Sequence, residues 1–312
     1  MKKHNILIFV TMFILLPLCN GLAMAYPRAK ITTKILDESG NIVKGAEVHI
    51  SFEIAKKGEW GTDNFGVKGI SDIEGVFTGE ANASERIGIT VLKDGCYLSR
   101  QLYEFKSSSM LLNRWEPWNP TIEVVLKKKR NPVPLIIKGT DWVAVPKLGT
   151  PVGFDLEKGD WVAPYGNGLI ADLSFEFNLT RRAYSDYDAN MTVTFTNGQD
   201  GIQEYWFDKK EQSLFKWPFE APENGYKRSV NIFERDTPKD GYKTNKKENV
   251  NYIFRVRTQL DKGGNIISAK YGKIEGGFGI SPTGKTKFLY FFNPDGTRNL
   301  EEDPEKNLFK KK

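Results

Sequence analysis

The chain has 312 residues, 45 basic and 39 acidic side chains, a formal net charge of +6, two cysteines and two histidines. That length suits two domains of ordinary size, each able to bury its own core. One histidine and one cysteine lie in the first 25 residues, so removal of that segment leaves a chain that can form neither an internal disulfide nor a zinc site with two histidine ligands.

The N-terminus reads Lys2-Lys3, then an apolar run over 6–18, then Ala23-Met24-Ala25. This is the layout of a secretory signal, so residues 1–25 are expected to be cleaved after Ala25 and the protein to be secreted or periplasmic. The apolar run falls short of the ~20 residues of a membrane helix, and no later segment is more apolar, so no integral span is expected. Leu18 stands where lipoprotein processing needs a small residue, which argues against acylation of Cys19. Without Lys2 and Lys3 there are 43 bases against 39 acids, a charge of +4. The basic runs at 127–130 and 310–312 read as a linker and a solvated tail, and with export they argue against a nucleic-acid partner.

After the signal, short runs rich in Val, Ile, Phe, Tyr and Thr recur between Gly, Asn, Asp and Pro clusters, which predicts antiparallel β structure almost throughout. A first domain over 26–127 has predicted strands at 29–36, 46–54, 66–71, 76–81, 86–92, 98–105 and 121–126. Asp37 to Asn41 and Asp72 to Gly75 supply turns in which an Asp bonds the backbone ahead of it. A basic and proline-containing linker over 128–134 is expected to be extended and unpaired. A second β-rich domain over 135–297 has predicted strands at 169–179, 191–196, 202–207, 230–234, 251–260, 266–272 and 287–292. The charged stretch 298–312 is expected to dock loosely or fray.

Chemistry is sparse. His49 lies in the second predicted strand and reads as a strand residue; Cys96, after a turn glycine, reads as a small, partly buried side chain. The carboxylates Asp155, Glu157, Asp160, Asp172, Asp186, Asp188 and Glu204 could in principle supply the acid pair of a glycosidase, but each sits in a context typical of a turn or surface acid. Residues 186–190 look like the start of a calcium loop, yet the glycine and the closing glutamate are missing. No metal or other cofactor is expected. Trp115 and Trp118 stand out, because they lie among prolines in a predicted loop before the strand 121–126. Exposed rings there would stack on a sugar or grip an extended peptide, while rings folded down would cap the sandwich.

The spacing of Asp37, Gly40, Gly45-Ala46 and Val48, then Ser71-Asp72, Gly75 and Phe77, then Gly95-Cys96-Tyr97, resembles the carboxypeptidase regulatory-like family over about residues 29–127. Cys96 interrupts a pair that is usually adjacent in that family. The resemblance implies a transthyretin-like (prealbumin-like) sandwich that is not catalytic and serves scaffolding, adhesion or the folding of a neighbour. The second domain resembles only regions of uncharacterised secreted bacterial proteins. The expected fold is therefore all-β, two β-sandwich domains, the first transthyretin-like and the second jelly-roll-like. The expected function is that of an exported, non-catalytic binding or scaffolding protein of the bacterial envelope, with Trp115 and Trp118 as ligand-binding residues and a glycan or an envelope protein as partner. The alternatives are a purely structural envelope component and a carboxylate-dependent glycan-active enzyme built on the second domain.

Overall fold

The computed structural model describes residues 26–55 and 60–309. The expected signal peptide, with His4 and Cys19, lies outside them. Among the described residues no helix is long and apolar enough to cross a membrane.

The first half contains β1 (Arg28–Asp37), β2 (Glu47–Ala55), β3 (Thr62–Ile70), β4 (Val76–Asn82), β5 (Arg86–Leu92), β6 (Ser99–Glu104), β7 (Ser107–Ser109), β8 (Arg114–Glu116) and β9 (Thr121–Leu126). One sheet has the order β4-β1-β8-β7, with β9 also paired to β1, and the other has the order β3-β2-β5-β6. Strand β1 shows why they face each other: Ala29, Ile31, Thr33 and Ile35 alternate inward, and the residues between them face out. Ile50 and Phe52 of β2, Ile87, Ile89 and Val91 of β5, and Val124 and Leu126 of β9 close the same core. Both predicted Asp turns form. The Asp72 carboxylate accepts the amides of Glu74 and Val76 at 2.9 and 2.8 Å, and Gly75 takes a φ of +73° where a Cβ would press within 2.8 Å of Ile42.

The second half contains β10 (Val133–Gly139), β11 (Val143–Ala144), β12 (Val152–Asp155), β13 (Asp160–Trp161), β14 (Leu173–Ala183), β15 (Asp186–Phe195) and β16 (Gly201–Tyr205). It continues with β17 (Ser229–Thr237), β18 (Gly241–Thr244), β19 (Asn251–Leu260), β20 (Ile266–Ile280), β21 (Lys285–Asn293) and β22 (Glu302–Asn307). The sheets run β16-β19-β20-β21-β10-β22 and β13-β12-β14-β15-β17-β18. Phe154, Phe175, Phe177 and Phe195 from one sheet meet Phe254, Phe278, Phe288 and Tyr290 from the other. The fold is thus the expected all-β pair of sandwiches. In the second, β19-β20-β21 and β14-β15 run side by side as meanders, while β16 lies beside β19 and β10 sits between β21 and β22.

Two expectations are corrected. The linker is not an unpaired connector: Val133 opens β10, which pairs with β21 and β22. Pro134 is accommodated because the β10–β22 register breaks between Val133 and Leu135, where no amide is needed. Nor is the stretch after 297 frayed as far as residue 309. Leu300 is fully buried, its amide donating to the Phe219 carbonyl at 2.8 Å, and β22 lies parallel to β10.

The sandwiches are joined by more than the chain. Residues 212–214 of the second run along the outer edge of β6, with Arg100 N donating to Gln212 O at 2.8 Å and Leu214 N to Leu98 O at 2.9 Å. The Gln212 side chain accepts Val125 N at 2.7 Å and donates to Glu123 O at 3.1 Å, so it also binds β9 of the facing sheet. A third apolar cluster of Phe215, Trp217, Ile253, Tyr271 and Leu300 then receives Tyr97 from the first sandwich, stacked on Phe215 at 4.8 Å. Trp217→Ala should therefore lower the unfolding free energy by about 3–5 kcal/mol, the range for emptying a large buried aromatic site. Denaturant titration would show it, and an unchanged midpoint would contradict the junction's stabilising role.

Candidate functional site

Three places carry the side chains with chemical potential. The first is the loop after β8. Trp115 is not an exposed platform: its indole N–H donates to the Ala83 carbonyl at 2.8 Å, its ring stacks on Phe105 at 6.0 Å, and it packs against the first core. Trp118 is half-buried, with the charged groups of Arg114, Arg28 and Lys30 at 5.1, 5.6 and 5.8 Å from its ring centroid. Glu116 fixes the loop by accepting Arg114 Nε at 2.9 Å and Trp118 N at 2.8 Å, and the arginine's hydrogen bond holds its carboxyl below the usual value. The two tryptophans thus have different roles, with Trp115 capping the sandwich and Trp118 set in a cationic rim.

The second place gathers three of the seven predicted acids. Asp155, at the end of β12, Glu157 and Asp172 converge on the Arg257 guanidinium of β19. Its Nε lies 2.8 Å from one Asp172 oxygen, its Nη1 2.5 Å from Glu157, and its Nη2 3.1 Å from Asp155. Arg257 has a φ of +56°, at a break in the β19–β20 register, and the Asp200 carboxylate stabilises that bulge by accepting the amides of Arg257 and Thr258 at 2.8 and 3.0 Å. Burial pushes the Asp172 carboxyl above its usual value despite Arg257. Burial pushes Asp155 the same way, but the amides of Leu169, Lys158 and Ile170, with Arg257, outweigh it and hold the carboxyl low.

The other four acids are dispersed. Asp160 caps a turn through Trp161 N and Asn167 N, both at 2.8 Å; Glu204 pairs with Lys247 at 2.6 Å. Asp186 and Asp188 lie on strand β15, paired with Arg182 at 2.8 Å and Arg235 at 2.5 Å, so the stretch 186–190 is not a loop. His49 is half-buried on the outer face of β2, opposite Lys68 and Thr90, with its imidazole lying over Gly66. Cys96 is a half-buried free thiol, raised in pKa by burial. Among the described residues no group of three or more His, Cys, Asp and Glu side chains is arranged to hold a metal.

The third place leaves only a faint trace in the sequence. A cavity of about 300 Å³ opens between β17 of one sheet and β16, β19 and β20 of the other. Ile202, Ile232, Val250 and Phe278 supply apolar walls, and Lys227, Lys246 and Lys247 stand at the polar side. Gly276 and Gly277 both take left-handed φ and break the β20–β21 register; a Cβ on Gly277 would come within 3.3 Å of Val250. The Gly-Gly pair was the one visible trace. Its meaning depends on the facing strand, which lies far away in sequence.

Comparison with known proteins does not assign this geometry. No family model matches the chain and no curated protein matches it. Among solved structures, the shaft pilin spaA from Lactobacillus rhamnosus GG aligns over 78% of this chain and 92% of that one, at 9% identity and a TM-score of 0.24. A likeness at that score carries no argument about function.

The acid cluster yields a prediction with a definite sign. Arg257→Gln should cost about 3–5 kcal/mol at neutral pH, because it leaves buried carboxylates without their cation. Asp172, raised, favours the fold below the ordinary carboxylate pKa and loses that contribution as pH rises through its folded value; without Arg257 it rises further. Asp155, lowered, favours the fold above the ordinary pKa and loses that contribution as pH falls; without Arg257 it has less to lose. Both effects make the variant's deficit larger at about pH 7 than at about pH 4. Unfolding curves of both proteins at the two pH values would check this, and a deficit that grows on acidification would refute it.

Proposed function

We propose that this chain is an exported, non-catalytic binding or scaffolding protein of the bacterial envelope, with a first sandwich of the carboxypeptidase regulatory-like kind. The observation that carries the reading is the junction. Residues 212–214 bind the edges of both sheets of the first sandwich, and Glu301 ties Tyr97 to the connector, so the two domains are held as one support. The turns at Asp37, Asp72 and Gly75 and the burial of Tyr97 support the family reading, since each has a folding reason and none forms a reactive site. The non-catalytic reading is supported by the state of the acids: each of the seven candidates is engaged by a cation or by backbone amides.

If the protein binds a glycan or an extended peptide, Trp118 and the cavity beside Lys247 are the two places for it. The test is a glycan and peptide array probed with the chain from Tyr26 onward, next to Trp118→Ala and Lys247→Ala. Loss of a signal in one variant alone would place the ligand, and full retention in both would overturn both placements.

The purely structural reading is favoured by one observation. Strand β3 ends its sheet, its outward edge unpaired among the named strands, with Phe65 and Ile70 exposed along it. Such an edge can add a strand from another copy. That reading expects concentration-dependent association in sedimentation, abolished by Phe65→Lys; a monomer at all concentrations would count against it.

A further inference from the structure

Among the described residues the tip of the β7–β8 hairpin carries the longest run of exposed large apolar side chains. Met110 and Leu111 are each 94% exposed and Leu112 53%, three consecutive apolar side chains with no fold to support. Such runs are unfavourable on a soluble surface unless they meet something. The tip is held out by a firm base: Ser107, Ser108 and Ser109 pair with Glu116, Trp115 and Arg114, and Trp115 is anchored in the first core. Arg28 N also donates to Asn113 O at 2.9 Å, which fixes the far side of the turn to β1.

We infer that this end of the first sandwich docks on a lipid bilayer, with Met110, Leu111 and Leu112 inserted among the acyl chains. Two observations select a bilayer over a protein groove. The tip is convex, and a fluid apolar phase accepts a convex apolar point without a matching cleft. Trp60, fully exposed in the β2–β3 connection, stands at the same end, because Glu53 O takes Ser84 N at 2.7 Å while the adjoining Ala83 O binds Trp115. With Trp118 it gives indoles beside the apolar tip, the residue type favoured at membrane–water boundaries.

Most of the surrounding charge is compensated, Arg28 and Lys30 sharing Glu80, Arg86 pairing with Glu104 and Arg114 with Glu116. Insertion is accordingly driven by apolar side chains rather than by anionic headgroups, which sets its response to salt.

The experiment is flotation of the chain from Tyr26 onward with vesicles of phosphatidylcholine alone and of phosphatidylethanolamine with phosphatidylglycerol. Wild type should float with both, in low and in high salt. The Met110→Ser, Leu111→Ser, Leu112→Ser variant should lose at least about tenfold in partitioning, since apolar area is what it removes. Because those side chains support no core, its unfolding midpoint should match wild type. Independently, a Met110→Trp variant should shift its emission to the blue on vesicles and be quenched by brominated acyl chains. No flotation by wild type, equal flotation by the triple variant, or release by salt would overturn the inference. So would self-association that the triple variant abolishes while vesicles leave the Met110→Trp emission unmoved, which would make the tip a contact between copies.

Discussion

The Glu301 carboxylate is the interaction on which the relation of the two sandwiches depends. It is 1% exposed and accepts the Tyr97 hydroxyl at 2.7 Å, Arg130 N at 2.9 Å and Asn131 N at 2.6 Å. Those donors come from the first sandwich and the connector, while the carboxylate comes from just before the last strand. A buried charge is tolerable only when its lone pairs are met, and here hydrogen bonds from both sides of the junction meet them. Burial and Glu301 together push the Tyr97 phenol well above its usual pKa, so it stays a donor at any ordinary pH. Pulling the domains apart would strand the acid without these partners, which is why the linker cannot behave as a free hinge.

The lysines at this junction follow the same rule. Lys127 is nearly buried and donates to the carbonyls of Phe215 and Trp217 at 3.0 and 3.1 Å, beneath the rings of Phe215 and Phe219. Lys273, fully buried, donates to Leu300 O at 2.8 Å and pairs with Glu302, with Phe215, Trp217 and Phe291 around it. Burial pulls its pKa below the usual lysine value even though Glu302 opposes that. Carbonyls, ring faces and one carboxylate replace its water. The Lys127 contacts are directional where apolar packing is not, so they fix how the sandwiches are turned relative to each other, while Lys273 orders the second sandwich's side of the junction.

Much of the fold was legible because alternation and turn chemistry are local. The strands predicted at 29–36, 86–92, 121–126 and 251–260 lie within a residue or so of those observed, and the Asp37 and Asp72 turns form as read. The parts not legible are those whose partners are distant. Nothing in Leu300-Glu301-Glu302 marks Glu301 as buried, since its burial depends on Tyr97 and on amides 170 residues or so away in sequence. The hairpin of β7 and β8 was missed because three serines and three consecutive apolar residues show no alternation. Of the candidate site, the sequence singled out Trp115 and Trp118. It could not separate the capping indole from the one in the cationic rim, because the Ala83 carbonyl and the Phe105 ring that decide it come from other strands.

The same division holds for the acids near β12, which stand apart in the sequence and share one cation in space. Asp155, Glu157 and Asp172 are close enough to act together, and an active site would keep one of them poised to exchange a proton with a substrate. Here Arg257 occupies the position between them, and its strained backbone is fixed by Asp200 on the opposite side. Asp172 is also bound by Leu156 N at 3.0 Å, and Tyr290 donates to the adjacent Leu156 carbonyl at 2.8 Å, so the cluster is sealed by the core beneath it. The guanidinium, held by the buried Asp155 and Asp172 and the half-exposed Glu157, joins β12 to β19 across the two sheets. The strain at Arg257 is thus accounted for by joining the layers of the sandwich, and the free chemistry of the molecule lies at its surfaces: the cavity beside Gly276 and Gly277, the edge of β3 and the distal hairpin.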